Sequence, residues 1–384
     1  MRRSDTTLRW LLLASHVPAS GGQGGMVRYC VELARALEAR DDVELHALVS
    51  PDARPFFAEE LGIDASRLHT HPFRGAVPAS LAEFDGRPVR AFQRPFDVIH
   101  GGKHLLPRRH HAGKLVLAVH DMLMLDRPLD HGALKRTLLP PAYLDSIRRA
   151  DVLLPISHAT RERLRAYAPD AAHRATVVPL AMAGSLVDAE PVQPAELNGD
   201  RPFALIVGDL SGRKNVSFVV ELWSQVQALV PDAHLVVVGP PGWGHNVGAE
   251  RLAELVALGA ATCPGHVRDG QLRWMYQHAH AVLAPSLFEG FGLPVLEASA
   301  FGAPVIASDD PAMVEIGAEG AEHVPITQPR RWVYAIAAAL SAARPPCCGA
   351  PRAVRTWAEV AAETVAAART SAEVAGPELL PVGA

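Results

Sequence analysis

Pro285-Ser286-Leu287-Phe288-Glu289-Gly290-Phe291-Gly292-Leu293-Pro294-Val295-Leu296-Glu297-Ala298 is the stretch that decides the fold. Pro294 suits the first turn of a helix, Gly302 its C-terminal cap and Pro304 the start of the next strand. Gly290-Phe291-Gly292 then falls at a helix N-terminus, where bare amides hydrogen-bond a phosphate or a sugar hydroxyl. Glu289 precedes them and Glu297 enters the helix, a spacing that lets both carboxylates face one cleft. Two acids in so apolar a run are costly unless paired or ligated, and a purely structural pairing is the competing reading.

Upstream, Ala204-Leu205-Ile206-Val207-Gly208 reads as a buried strand, followed by Asp209-Leu210-Ser211-Gly212-Arg213-Lys214-Asn215 and a helix over Val216–Leu229. Arg213 and Lys214 are the only Lys or Arg between residues 202 and 250. The dipole disfavours cations at a helix N-terminus, so an anion such as a diphosphate accounts for the pair, against a merely solvated turn. Further apolar runs at Ala233–Gly239, Ala281–Ala284 and Val305–Ser308 complete the second half. Continuous apolar runs separated by helices indicate parallel strands buried on both faces.

The first half has the same rhythm, with strands expected at Leu11–Ala14, Val43–Val49, Val98–His100, Leu115–His120, Val152–Ile156 and Ala175–Val178. Gly21-Gly22-Gln23-Gly24-Gly25 follows the first of these and opens a helix over Met26–Glu38, where amides can approach an anion; a turn without ligand is the alternative. Its spacing is not Gly-x-Gly-x-x-Gly, which disfavours a nicotinamide enzyme. His120-Asp121 lies at a strand's carboxyl end, where open α/β sheets bind ligands. The imidazole is suited to donate to a sugar hydroxyl with Asp121 holding its orientation, although such a histidine is often structural. His100, His104, His110 and His111 suggest a metal cluster, but Gly101-Gly102 breaks the helix that would align the first pair. Asp188–Pro202, with three prolines, Asn198-Gly199 and no periodicity, is the linker. The expected division is 1–187, 203–345 and a terminal segment 346–375, whose helix-prone stretch carries a Trp357, Val360, Val365 stripe for packing on the first domain.

Composition supports a folded chain. Of 384 residues 49% are hydrophobic and 20% charged, which excludes disorder. Four cysteines in no Cys-x-x-Cys spacing exclude a disulfide scaffold and a cysteine zinc module and make a reducing, cytoplasmic compartment the default. Leu11–Ala14 is too short for a signal-peptide core, and Ala281–Ser308 carries Glu289, Glu297, glycines and prolines, so no membrane span is expected. The net charge of −4 hides an asymmetry: residues 1–185 hold 25 Lys and Arg against 20 acids, the remainder 12 against 21. Arg74, Arg87, Arg90, Arg94, Arg108 and Arg109 give the first half either a solvated surface or a face for an anionic acceptor or membrane. No nucleic acid partner is expected.

Glu-Gly-Phe-Gly-Leu-Pro-Val-Leu-Glu-Ala resembles the signature of the retaining glycosyltransferases called group 1, or family 4. The likeness extends in order through Gly24-Gly25 with Arg28-Tyr29, His120-Asp121, Val177-Val178-Pro179, Gly208 to Asn215, Val236–Gly239 and Gly265-His266-Val267. The resemblance implies a GT-B fold: two Rossmann-like domains facing a cleft, with the C-terminal helix crossing back to the first. It implies a nucleoside-diphosphate sugar as donor and a glycan or lipid-linked acceptor, with hexosyl transfer of mannosyl or glucosyl type in polysaccharide biosynthesis. Arg213 and Lys214 would neutralise the diphosphate, Glu297 would bind the ribose hydroxyls, and the backbone at His266-Val267 would flank the base. Glu289 with the amides of Gly290, Phe291, Gly292 and Leu293 would hold the donor sugar and phosphate, His120 would close on the sugar, and Gly24 and Gly25 would approach the diphosphate. His120, Arg213, Lys214 and Glu289 are thus the expected catalytic residues. No cofactor is expected, and the absence of Asp-x-Asp points away from a metal. The expected setting is cytoplasmic, with peripheral contact to the inner face of an anionic membrane. Asp209 stands where many members have arginine, and Ala181 where glycine is common. A nucleotide-sugar epimerase and a non-catalytic scaffold are the rival readings.

Overall fold

The computed structural model describes residues 7–21, 24–72, 76–90, 95–110, 112–128, 132–197, 201–240, 248–317, 320–343 and 355–370. Two six-stranded parallel sheets follow one another. The first comprises β1 (Leu8–Leu13), β2 (Val43–Val49), β3 (Leu68–Thr70), β4 (Phe96–Gly101), β5 (Ala112–Val119) and β6 (Val152–Pro155), in the order β3-β2-β1-β4-β5-β6. The second comprises β7 (Phe203–Val207), β8 (His234–Val238), β9 (Ala261–Gly265), β10 (Ala281–Ala284), β11 (Val305–Ala307) and β12 (Ala321–His323), in the order β12-β11-β10-β7-β8-β9. Each unit therefore has the doubly wound Rossmann order, with the strand order reversing between β1 and β4 and again between β7 and β10.

The apolar runs are uninterrupted because both faces are covered. Trp10 and Leu12 pack with Tyr29, Leu33 and Leu37 of the helix Gly25–Glu38, whereas Leu11 and Leu13 face Tyr143 and Ile147 of the helix Ala133–Arg149. In the second sheet Leu205 and Val236 face Tyr276, while Ala204, Ile206 and Leu235 face Val219 and Trp223. The helix Trp357–Thr370 returns to the first sheet's layer, burying Trp357, Val360 and Val365 with Trp10 and Tyr29. Lys114 Nζ donates to the carbonyls of Ala368 and Arg369, fixing its last turn.

One expected strand is absent. Ala175 makes a single bridge to Leu153, after which Thr176 and Val178 donate to the carbonyls of Leu153 and Pro155 at 2.9 and 3.0 Å. Pro155 has no N–H to return to Thr176, so the ladder is one-sided and stops.

Candidate active site

The loops after the two central strands of the second sheet are tied together before any ligand enters. Beyond β7, Ser211 donates from its amide and hydroxyl to Asp209 Oδ1 at 3.2 and 2.5 Å, closing a turn where the resemblance has arginine. Asn215, left-handed at φ 53°, caps the helix Val216–Leu229 and donates from Nδ2 to the carbonyl of Pro285 at 3.2 Å. The Arg213 carbonyl accepts from Leu287 N–H at 2.8 Å. These bonds bring Lys214 Nζ and Arg213 Nη1 to 2.6 and 3.1 Å from Glu289 Oε1, which also accepts from Ser286 Oγ at 2.9 Å. Burial pushes the Glu289 carboxyl up, but Lys214 and Arg213 outweigh it and hold it down at about 2. One carboxylate thus faces two cations, and Asp209 and Asp121 also lie close enough to act on Arg213. Gly208, Lys214, Pro285, Ser286 and Pro294 line a small cavity there.

Glu297 lies one turn into the helix Leu293–Ala300, whose N-cap is Gly292 at φ 103° with Pro294 in the first turn. It is 2% exposed. Its Oε2 accepts from the Tyr276 hydroxyl at 2.7 Å, and its Oε1 lies 2.5 Å from Arg28 Nη1. Arg28 belongs to the helix Gly25–Glu38 of the first sheet. The two glutamates of the signature are therefore held by separate partners: Glu289 within its own domain, Glu297 partly across the cleft.

From the first domain, His120 follows β5 and is 5% exposed. Burial lowers its imidazole pKa to about 4, so the ring is neutral. Nε2 lies 2.9 Å from the carbonyl of Gly102 and must carry the proton, which leaves Nδ1 an acceptor. This corrects the expectation of a donor oriented by Asp121. The ring is instead fixed by Gly102 and by the edge of Tyr29, 4.8 Å between centroids, while Asp121 Oδ1 accepts from Leu123 N–H at 3.0 Å. The two domains meet at this point, because a Cβ on Gly290 would lie 1.8 Å from the His120 carbonyl oxygen. Only glycine fits.

Two family descriptions match in tandem: "Glycosyltransferase Family 4" over residues 23–182 and "Glycosyl transferases group 1" over 189–345. The chain belongs to the group 1 glycosyltransferases. This glycosyltransferase is 25% identical over 226 residues to the O-antigen chain mannosyltransferase B of Escherichia coli, covering 57% of this chain and 58% of that protein. It is 27% identical over 321 residues to a D-inositol 3-phosphate glycosyltransferase of Actinosynnema mirum, covering 76% and 77%. Among solved structures, a sucrose-phosphate synthase from Thermosynechococcus elongatus superposes with a TM-score of 0.63 at 19% identity, covering 94% of each chain.

The remaining expected residues of the glycosyltransferase fall around the same cleft edge or within the core beneath it. Gly24 is the N-cap of its helix, with open space beside it and Gly25. His266 follows β9, and Val267 turns its side chain into the second core, so only its backbone is left to flank a base. Phe291 packs into the first domain's core rather than its own. Gly22, Gln23, Arg74, Arg94, His111, Cys347 and Cys348 lie outside the described residues. Among the described residues no group of three or more His, Cys, Asp or Glu is placed to hold a metal ion. Sequence reasoning gave no role to Arg28, Tyr276 or Ser286. Arg28 stands within the quoted resemblance, but nothing in the sequence tells that it meets a residue 269 positions away.

Proposed function

We propose that this glycosyltransferase moves a hexosyl group of mannosyl or glucosyl type from a nucleoside-diphosphate sugar to a glycan or lipid-linked acceptor, with retention of configuration and without a metal. The observation that carries this reading is the convergence of Lys214 and Arg213 on Glu289 at the carboxyl ends of β7 and β10. That edge, at the reversal of strand order, is where open α/β sheets take ligands. The cations face the developing charge of a departing diphosphate in a fixed, largely buried setting, and preorganised charge of this kind is the chief rate contribution in group transfer. Arg213 and Lys214 neutralise the leaving group, and Glu289 keeps them together. Glu297 takes the ribose hydroxyls in exchange for Arg28. His120 Nδ1 accepts from a donor-sugar hydroxyl. The mannosyltransferase among the relatives supports a hexosyl donor.

Incubation with a panel of UDP-, GDP- and ADP-sugars tests this. Nucleoside diphosphate released with slow hydrolysis of the donor is the expected outcome. Conversion to an epimeric nucleotide-sugar would identify the epimerase, and neither binding nor turnover the scaffold.

The same reading places the enzyme in the cytoplasm, at the inner face of the membrane, in polysaccharide biosynthesis. Among the described residues no helix is long and apolar enough to cross a bilayer. Arg87 and Arg109 pair with Asp85 at 2.8 and 3.1 Å and Arg108 with Asp145 at 3.2 Å, exposed pairs that anionic headgroups can displace at little cost. Flotation with anionic vesicles, lost at high salt and absent with neutral ones, is expected; indifference to vesicle charge removes the membrane from the account.

A further inference from the structure

The segment carrying Glu289 belongs to the second sheet, yet its main chain is held by the first domain. The helix His158–Tyr167 follows β6 and buries Leu164 in the first domain's core. From its N-cap and first turn, Ser157 Oγ and Thr160 Oγ1 both donate to the Gly290 carbonyl, at 2.6 and 2.9 Å. One turn on, Arg163 Nη1 donates to the Glu289 carbonyl at 2.5 Å, and Nη2 reaches Asp310 Oδ2 at 2.5 Å. The same guanidinium lies 4.0 Å over the Phe288 ring. In the opposite direction Glu315, from the helix Pro311–Ile316, accepts from the amides of His158 and Ala159 at 2.8 Å each. The clasp is reciprocal.

Three donors on two successive carbonyls fix both peptide planes, and with them the direction in which the Glu289 side chain leaves the backbone. That side chain sets where Lys214 and Arg213 point. Its contacts within the second domain fix the carboxylate, while its backbone depends on the first. Parting the domains breaks all three bonds together and leaves a loop with two glycines, Gly290 and Gly292, to relax. Only a planar fork serves both Glu289 and Asp310 while stacking on Phe288, so a lysine at this position loses the arrangement without losing the charge.

We propose that Arg163, supported by Thr160, is a positioning residue that makes the Glu289–Lys214–Arg213 cluster competent only when the two domains are together. The proposal rests on the reading of that cluster as the site of transfer. Arg163→Ala, Arg163→Lys and Thr160→Val test it, with kcat and KM for the active donor, Kd for UDP, GDP and ADP by calorimetry, and Tm for each variant. Misplacement of catalytic groups by an ångström costs on the order of 100-fold. Arg163→Ala is therefore expected to lose roughly 10- to 100-fold in kcat with donor KM and diphosphate Kd within about twofold. Arg163→Lys should fall between it and the wild type. Thr160→Val, nearly isosteric, should lose severalfold in kcat at an almost unchanged Tm, so the test stands even if Arg163→Ala folds poorly. Unchanged kcat in Thr160→Val and Arg163→Lys overturns the proposal, as does a loss of kcat matched by an equal loss of diphosphate affinity, which would mean that the clasp merely keeps the second domain folded. A wild-type protein that binds none of the three diphosphates overturns the functional reading, and this proposal with it.

Discussion

Arg28 Nη1 sits 2.5 Å from Glu297 Oε1, so a residue of the first domain's glycine-loop helix neutralises a carboxylate that the second domain holds at 2% exposure. The pair joins the domains and occupies the atom to which a ribose hydroxyl would bind. Removing one partner of a buried pair costs about 3–5 kcal/mol because the other charge is left uncompensated. Arg28 is partly exposed, which places the cost of Arg28→Ala near the lower bound. Glu297→Gln in the same chain removes the orphaned charge and should restore most of the loss. Thermal unfolding of the two single variants and the double variant measures this, and strictly additive losses would show that the two residues do not interact.

The two glutamates should respond in opposite senses. Glu297→Ala removes a charged acceptor of the ribose, and a hydrogen bond to a charged group contributes about 1.5–3 kcal/mol, so nucleoside diphosphate should bind about 10- to 100-fold more weakly. Glu289→Gln releases Lys214 and Arg213 from their carboxylate. Diphosphate should then bind as well as before or better, while turnover falls because the cations lose their fixed direction. Calorimetric titration of both variants decides it, and equal weakening in the two contradicts the assignment.

Glu83, on the helix Ala76–Asp85, is buried and accepts from Ser15 N–H at 3.2 Å. Burial raises its carboxyl from 4.5 to about 7, against the opposing pull of Ser15 and Lys103. Between those values the native state keeps a proton that the unfolded chain has released, so stability falls as pH rises through the window and stays lower above it. Glu83→Gln keeps the acceptor without the charge. It should raise Tm at alkaline pH, by about 3 kcal/mol in stability, and have no effect at pH below 4.5. A Tm gain of the same size at both ends of the range would show that ionisation is not the cause.

The central strands were legible because each is a continuous apolar run buried on both faces, as at Leu11–Leu13 and Leu235–Val238. The edge strands β3, β9 and β12 were not: Leu68–Thr70 and Ala321–His323 are three residues long and carry polar residues on an edge that needs no full apolar face, and Ala261–Gly265 is buried at Ala261 alone and holds Thr262 and Pro264 in place of an apolar run. Ala175–Val178 misled for the converse reason, an apolar run whose neighbour Pro155 cannot complete a ladder. At the site, residue types were legible and pairings were not. Arg213, Lys214 and Glu289 stood out as charges in apolar surroundings, whereas their mutual contact and the Gly102 carbonyl that fixes His120 depend on how loops at neighbouring strand ends fold together within one domain, and the Arg28–Glu297 bridge on how the two domains meet.

The most direct test of the central claim, that fixed cations beside Glu289 carry the transfer, is release of nucleoside diphosphate from a nucleotide-sugar panel in the presence of EDTA, compared between the wild type and Lys214→Ala. The account predicts that the wild type turns over one or more donors undiminished by the chelator, and that Lys214→Ala loses on the order of 100- to 1,000-fold, as expected when one preorganised stabiliser of leaving-group charge is removed. Turnover that stops in EDTA and returns with magnesium or manganese, or a Lys214→Ala enzyme that works at the wild-type rate, would contradict it.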